Sequence, residues 1–444
     1  MNKYTLPDDR AGRCEIRPSG ETSAASSRRE FLKSSVAATA AIGTMASPGH
    51  AHTAGDDKLK VGLIGCGGRG TGAAIDALHA DPRAEITALG DTFIDRIQGC
   101  LSSLLEDEEV SGRVAVNEDH QFVGFDAYKQ VIDSGVDVVL LATSPHFRPQ
   151  HLEYAIEKGK HCFVEKPVAV DVPGVLRVEQ ACKSAKEKSL SVVSGLCWRY
   201  DKGVQATMDK IANDSIGDII SIESTYNGFQ IAHRGNNPDL SQMENQIRNW
   251  YHFAWLSGDH IVEQAVHSLD KSAWLLGDAH PLRAFGTGGR QQRVEKKYGN
   301  IYDHHTVFFE FPNDVKVFFT CRQQDNTTPR VDELVLGSEG QALILRNQIR
   351  GKETWKYRGP KPSMYRVEHE ELFNSIRNSD PINDGHHMCN STLMGILGRN
   401  CTYTGQEITW DQLMQSTERL GPEDYQWGDV SVAPVAIPGI TQFS

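Results

Sequence analysis

The amino-acid sequence predicts an α/β protein of two folded domains: an amino-terminal doubly wound parallel sheet, then an α+β domain on an open, mostly antiparallel sheet. Three observations carry that expectation. As far as about residue 195, short β-rich apolar runs alternate with amphipathic helical stretches, the pattern of βαβ units. A G-x-G-x-x-G loop stands directly behind the first of those runs. Beyond residue 196, longer strands succeed one another with turn residues between them instead of regular helices, as antiparallel neighbours require. The 444 residues, 39% hydrophobic and 23% charged, supply length and apolar side chains for two cores. The expected boundaries are a leader over 1–51, a first domain over 57–195, a second over 196–425 and a tail over 426–444.

The leader reads as an address. A polar lead ends in Ser27-Arg28-Arg29-Glu30-Phe31-Leu32-Lys33 and is followed by a mildly apolar run from Ser34 to Ala46, the arrangement of a bacterial twin-arginine export signal. Gly49-His50-Ala51 offers a small-residue cleavage site; a membrane-anchoring helix is the alternative. The expectation is a periplasmic or otherwise exported protein that meets the twin-arginine translocation machinery already folded, with its cofactor inserted. The leader holds 7 Lys and Arg against 5 Asp and Glu, so its removal takes the net charge from −12 to −14.

Taken in order, the first domain's expected strands are Leu59–Ile64, Ala84–Leu89, Val136–Ala142, Cys162–Val164 and Ser191–Val193. Helices are expected over Thr71–Ala80, Pro149–Lys158 and Pro173–Glu187. In the second domain, strands are expected at Ile219–Tyr226, Thr306–Phe311, Val315–Cys321, Glu333–Leu336 and Ala342–Leu345. Phe311-Pro312-Asn313-Asp314 and Gly337-Ser338-Glu339-Gly340 supply hairpin turns. Late helices at Glu368–Ile376 and Asn390–Tyr403 return to pack on the first domain.

Composition narrows the function. An acidic chain, with 46 Lys and Arg against 58 Asp and Glu, is a poor partner for nucleic acid, whose phosphates demand a basic face. Nine cysteines without a C-x-x-C pair form neither a disulfide framework nor a zinc module, and the pairs His304-His305 and His386-His387 lack a third ligand at readable spacing, so no metal is assigned.

The loop Gly65-Cys66-Gly67-Gly68-Arg69-Gly70 lies between an apolar strand and a helix, the setting in which such glycines form the Rossmann dinucleotide fingerprint. Gly65 permits the tight turn, Gly67 admits a pyrophosphate to the backbone, and Gly70 lets helix and strand approach. The helix start offers free N–H groups to phosphate. Asp91, about 20 residues on at the end of the second strand, is placed for the ribose hydroxyls and favours NAD; Arg96 one turn later leaves NADP as the alternative. The strand Val136–Ala142 delivers Thr143 and Pro145 to the same edge, and His146 reads equally as a ligand contact or an ordinary loop histidine. Glu165-Lys166-Pro167 follows the strand that ends at Val164, putting Lys166 beside the nicotinamide, whose positive charge would draw its pKa toward the range of acid–base work.

These motifs, in this order, resemble the glucose-fructose oxidoreductase / inositol dehydrogenase / MocA (Gfo/Idh/MocA) family. The similarity runs from about Leu59 to about Gln415 and includes Gly195-x-x-x-Arg199-Tyr200 and Thr404-Gly405-Gln406-Glu407-Ile408-Thr409-Trp410. It implies that Lys166 contacts both nicotinamide and substrate. It also implies a second motif, a carboxylate and a histidine four residues apart on a helix across the cleft, matched here by Glu263 and His267, with Asp270 three residues further. The spacing sets these on one helix face, suited to a proton relay in which His267 takes a hydroxyl proton and a carboxylate orients it. Glu263 stands where the family commonly has Asp, which puts the substrate or the chemistry in question.

Arg248-Asn249-Trp250-Tyr251-His252 precedes that helix and reads as a carbohydrate cleft or an aromatic core, with Arg199 and Tyr200 as further cleft candidates. The resulting expectation is an exported NAD(P)-dependent oxidoreductase acting on a secondary alcohol of a sugar, polyol or glycoside, with the dinucleotide tightly held. The alternatives are a redox-neutral NAD-dependent glycoside hydrolase and a non-catalytic dinucleotide- or sugar-binding protein. Family analogy implies a homodimer or tetramer through the open sheet.

Overall fold

The computed structural model describes residues 58–444, so the expected twin-arginine signal lies outside the described residues. In chain order the first domain runs β1 (Leu59–Ile64), α1 (Gly68–Ala80), β2 (Ala84–Asp91), α2 (Ile94–Glu106), β3 (Gln121–Val123), α3 (Ala127–Asp133), β4 (Val138–Leu141), α4 (Arg148–Glu157), β5 (His161–Val164), α5 (Val172–Glu187) and β6 (Val192–Ser194). The strands pair in the order β3-β2-β1-β4-β5-β6, all parallel. That is the doubly wound order, in which ligands bind at the carboxyl edge where the winding reverses, here between β1 and β4. Both faces of the sheet are covered, so β4 reads Val-Val-Leu-Leu, every residue buried.

The second domain begins with α6 (Lys202–Ala212) and the long β7 (Ile219–Gly228). Four short helices follow: α7 (Gln242–Arg248), α8 (Ala254–Ser257), α9 (His260–Glu263) and α10 (Val266–Leu275). Then come β8 (Arg283–Gly289), β9 (His304–Glu310), β10 (Lys316–Gln323), β11 (Arg330–Gly337), β12 (Gly340–Leu343), β13 (Gln348–Arg350) and β14 (Thr354–Lys356). The chain closes with α11 (Met364–Arg377), α12 (Gly385–Thr404), β15 (Ile408–Thr409) and α13 (Trp410–Met414). The sheet order is β14-β13-β12-β11-β7-β10-β9-β8-β15, antiparallel except for β7 with β10. Its inner face buries Val307, Phe309, Val317 and Phe319, while Phe285, Phe318 and Leu336 on the outer face stay exposed.

The late helices do return to the first domain. Leu372, Phe373 and Ile376 of α11 join the cluster that β1, α1 and β2 form; burying each contributes about 2 kcal/mol. The second domain departs from expectation in detail. Arg283–Gly289, three of whose seven residues are glycine, forms β8 because β9 offers it a free edge. The helix expected to carry Glu263 and His267 together is interrupted: α9 ends at Glu263, Gln264–Ala265 make a turn, and α10 starts at Val266. Ala265 N donates to His260 O at 3.0 Å across that turn, a widened i→i+5 bond of the kind found inside helices at functional sites.

Candidate active site

The glycine loop is built as its sequence requires. Gly65 has φ +99°, and a Cβ on it would come within 2.6 Å of Ala142 C and Thr143 N. At Gly70 a Cβ would lie 1.8 Å from Gly65 O, so α1 reaches β1 only because that residue is glycine. Gly67 is different: nothing lies within 4 Å of its Cβ direction, leaving the backbone open toward a cleft. That cleft is lined by Gly65, Gly67, Asp91, Thr143 and the aromatic rings of Phe93, Phe125 and Phe147. Asp91 Oδ2 accepts from Cys66 N at 2.7 Å, and Oδ1 accepts from Phe93 N at 3.0 Å. Burial raises the Asp91 pKa, an effect these N–H donors partly offset. A glycine loop with an open backbone and a carboxylate at its rim fits a dinucleotide.

A second cavity of about 610 Å³ adjoins the first, and Ala142, Arg234, Arg248 and Trp250 line both. Lys166, Glu263, Gln264, His267 and Trp250, Tyr251, His252 converge on it. Lys166 Nζ donates to Glu263 Oε1 at 3.1 Å and to Glu263 O at 2.6 Å. Both side chains are largely covered, at 14% and 13% exposure, so the pair is shielded from the solvent that makes surface ion pairs weak. His267 Nδ1 is buried without a hydrogen-bond partner. Burial, with Lys166, Lys271 and Arg69 adding to it, holds the imidazole pKa well below its usual 6.5. Burial, with Arg293 and His233 adding to it, pushes the His252 pKa down to about 3. The site therefore presents neutral imidazoles beside an ion-paired ammonium.

Other expected residues sit behind these. Arg69 reaches from the glycine loop to Glu165 and donates to Glu368 Oε1 at 2.8 Å, tying the loop to the end of β5 and to α11. Cys66 is buried beneath the loop, Gly68 opens α1, and Pro145 starts a buried 3-10 turn. The Lys166–Pro167 peptide is cis.

Two expectations require revision. Asp270 does not orient His267: its carboxylate accepts from Arg199 Nε and Nη2 at 3.0 and 2.8 Å and from Ser391 Oγ at 2.7 Å. Arg199 faces Asp270 and Asp278 instead of the cavity, and Tyr200 Oη donates to Asp384 at 2.8 Å. His146, for which ligand contact and ordinary loop histidine stood open, lines neither cavity and bonds Tyr425 Oη through Nε2 at 2.7 Å.

Sequence reasoning passed over Tyr226, Arg148, Arg234 and Gln264, all of which line the second cavity. Gln264 lay between two singled-out residues; the turn that aims it inward carries no glycine or proline to announce it. Buried Arg148 donates to the carbonyls of Thr143 and Pro167, bracing the two strand ends that form the site. Also unforeseen, Asp259, His260 and His305 meet with their ligand atoms within 4.8 Å of one another. Asp259 already accepts from the His260 ring at 2.8 Å, Tyr302 N at 2.8 Å and Tyr403 Oη at 2.5 Å. The trio thus closes as a hydrogen-bonded hub that anchors the start of α9.

Comparison with known proteins agrees with this geometry. Residues 59–194 match the family described as "Oxidoreductase family, NAD-binding Rossmann fold", and residues 204–343 match the "GFO/IDH/MocA C-terminal domain". Inositol 2-dehydrogenase 3 of Saccharopolyspora erythraea is 27% identical over 272 residues, 60% of this chain and 68% of that protein. Among solved structures, a levoglucosan dehydrogenase in complex with NADH and levoglucosan aligns with TM-score 0.63 at 16% identity, covering 80% of this chain and 99% of that one. An aldose-aldose oxidoreductase from Caulobacter crescentus complexed with glycerol aligns with TM-score 0.62 at 15% identity, covering 79% and 99%. At those identities the structural matches speak for the fold.

Proposed function

The chain belongs to the Gfo/Idh/MocA family of NAD-binding oxidoreductases, and from that premise we propose that it oxidises or reduces a secondary alcohol carbon of a sugar, polyol or glycoside. The observation that carries this reading is the meeting of Lys166, Glu263 and His267 on one cavity beside the glycine-loop cleft. Gly65, Gly67, Asp91 and Thr143 would hold the dinucleotide, and Asp91 supports NAD over NADP. Bound NAD supplies the two-electron hydride acceptor. In the oxidation direction neutral His267 takes the hydroxyl proton. The Lys166 ammonium donates to the same oxygen and stabilises negative charge developing there. Glu263 keeps Lys166 in place. Trp250 and Tyr251 offer aromatic faces to C–H surfaces, while Asn249, His252 and Gln264 offer polar atoms to hydroxyls. The inositol, levoglucosan and aldose in the names of similar proteins support a polyhydroxylated substrate.

The test is mass spectrometry of the supernatant of denatured protein, with an absorbance scan before and after a sugar, polyol and glycoside panel. Bound NAD whose 340 nm band appears with one class of compound is the expected result. Release of aglycone without accumulating NADH would replace net oxidation by redox-neutral hydrolysis, and failure to bind any nucleotide on titration would overturn the reading. Arg28-Arg29 and the apolar run behind them support export by the twin-arginine route, tested by fractionating cells that express the Arg28→Lys, Arg29→Lys variant. The exposed aromatic face at Phe285 and Phe318 supports self-association through the sheet, tested by light scattering.

A further inference from the structure

The segment beyond α13, of which only residues 426–444 were expected to be a tail, packs on the aromatic rings that line the cofactor cleft. Leu420 N donates to Asp171 Oδ2 at 3.0 Å, joining it to the start of α5 in the first domain. Met243 N donates to Gly428 O at 3.0 Å and Gln246 Nε2 to Val430 O at 3.1 Å, joining it to α7 in the second. Gly421 turns at φ +104° against His146 and Trp255, where a Cβ would meet their rings at 2.8 and 3.0 Å. Between these ties two aromatic side chains point back at the first domain. Trp427 packs on Phe125 at 4.5 Å and on Phe93 at 5.6 Å between ring centroids. Tyr425 stacks on Phe125 at 5.7 Å, meets Phe147 edge-on at 5.2 Å, and shares a hydrogen bond with His146. Phe93, Phe125 and Phe147 are the rings that line the cleft beside Asp91, and Phe93 N is itself bonded to the Asp91 carboxylate.

We infer that Tyr425 and Trp427 are positioning residues of the dinucleotide site: this carboxy-terminal strap holds the Phe93, Phe125 and Phe147 wall closed on the ribose and adenine side and so slows dinucleotide release. The inference rests on the NAD reading above. Its physical basis is that both domains tie the strap down, so the wall moves outward only if ring contacts and backbone hydrogen bonds are given up together. A wall that holds its shape before ligand arrives lowers the ordering cost of binding, and the gain appears chiefly in the dissociation rate.

The test uses the full chain and NADH as probe, following its fluorescence as excess NAD displaces it. Trp427→Ala is expected to speed NADH release about tenfold and to weaken binding in proportion, the loss of two ring contacts. Trp427→Phe is expected to restore release to within about twofold of the wild type, and kcat/KM for the sugar at saturating NAD is expected to stay within about twofold of the wild type in both. Tyr425→Phe keeps the ring, loses the bond to His146 and is expected to speed release about threefold, which keeps the inference open to test should Trp427→Ala fail to fold. Release from a folded Trp427→Ala or Tyr425→Phe protein at the wild-type rate would overturn the strap's role. Absence of NADH binding by the wild type would instead overturn the NAD reading.

Discussion

Lys166 holds its ammonium 3.1 Å from the Glu263 carboxylate and 2.6 Å from the Glu263 backbone carbonyl, so one residue of the second domain fixes the strand-end lysine of the first at two points. The bond crosses from the carboxyl edge of the parallel sheet to the last residue of α9. Replacing Lys166 by Met removes the cation and leaves the glycine loop intact. Turnover is expected to fall roughly 10²–10⁴-fold, as for loss of a proton-transfer group, with NADH affinity within about threefold of the wild type. Turnover kinetics with fluorescence titration checks both halves, and near-normal turnover would remove Lys166 from the chemistry.

His267 should set the acid limb of the pH–rate profile. Burial foremost, then Lys166, Lys271 and Arg69, hold its pKa well below 6.5, so the base form persists as pH falls. The acid limb of kcat/KM for alcohol oxidation is expected below the ordinary imidazole value of about 6.5. His267→Asn is expected to lower turnover about 100-fold and to abolish that limb. A limb centred at or above the ordinary value, or one that survives in His267→Asn, would assign it to another group.

Asp91 joins loop geometry to cofactor choice, because the residue whose carboxylate accepts from Cys66 N also lines the cleft. Asp91→Ala is expected to raise the KM for NAD by about tenfold or more, roughly 1.4 kcal/mol, and to improve the relative use of NADP. Comparing kcat/KM for the two cofactors in both proteins measures the change. An unaltered preference would show that Asp91 does not read the ribose.

Asp270 should behave as a stability residue. It is 1% exposed and shares Arg199 with Asp278, so Asp270→Asn leaves a buried guanidinium poorly compensated. Such losses cost about 3–5 kcal/mol, expected here as a lower denaturation midpoint, with turnover at low temperature within about threefold of the wild type. A folded, stable variant with collapsed turnover would return Asp270 to the proton relay.

His369 should report on acid stability. It is fully buried against Phe163, both ring nitrogens lack partners, and burial pushes its pKa down to about 3. The unfolded chain binds that proton near pH 6.5 and the folded chain does not. Stability is therefore fully present above pH 6.5 and is lost as pH falls toward the folded value, by up to about 1.4 kcal/mol per pH unit for this one site. His369→Leu is expected to flatten the fall in stability between pH 6.5 and 4 by about one proton, measured by denaturant titration at several pH values. An unchanged slope would mean that His369 is already charged in the folded protein.

The sequence by itself determined five of the six strands of the first domain, because its information is local, while β3, α2 and α3 were not read from it. Apolar runs of strand length, helical periodicity between them and glycines where the backbone must come close all act within a few residues, and each expected strand lies within two residues of its place. Lys166 was legible for the same reason, since a buried strand of known register delivers it to a known edge. What the tertiary structure alone decided are the partnerships across long separations. Asp270 is three residues from His267 and points to Arg199 instead, 71 positions away, since the offset of three leaves the outcome to whichever neighbour packs nearer. The turn at Gln264–Ala265 answers to the Asp259 hub and the packing of α12 on α10, neither of which leaves a local mark. The strap shows the same principle at its longest range: Tyr425 and Trp427 sit in a stretch without helical or strand periodicity, and their role comes entirely from the aromatic wall that the rest of the chain had already built.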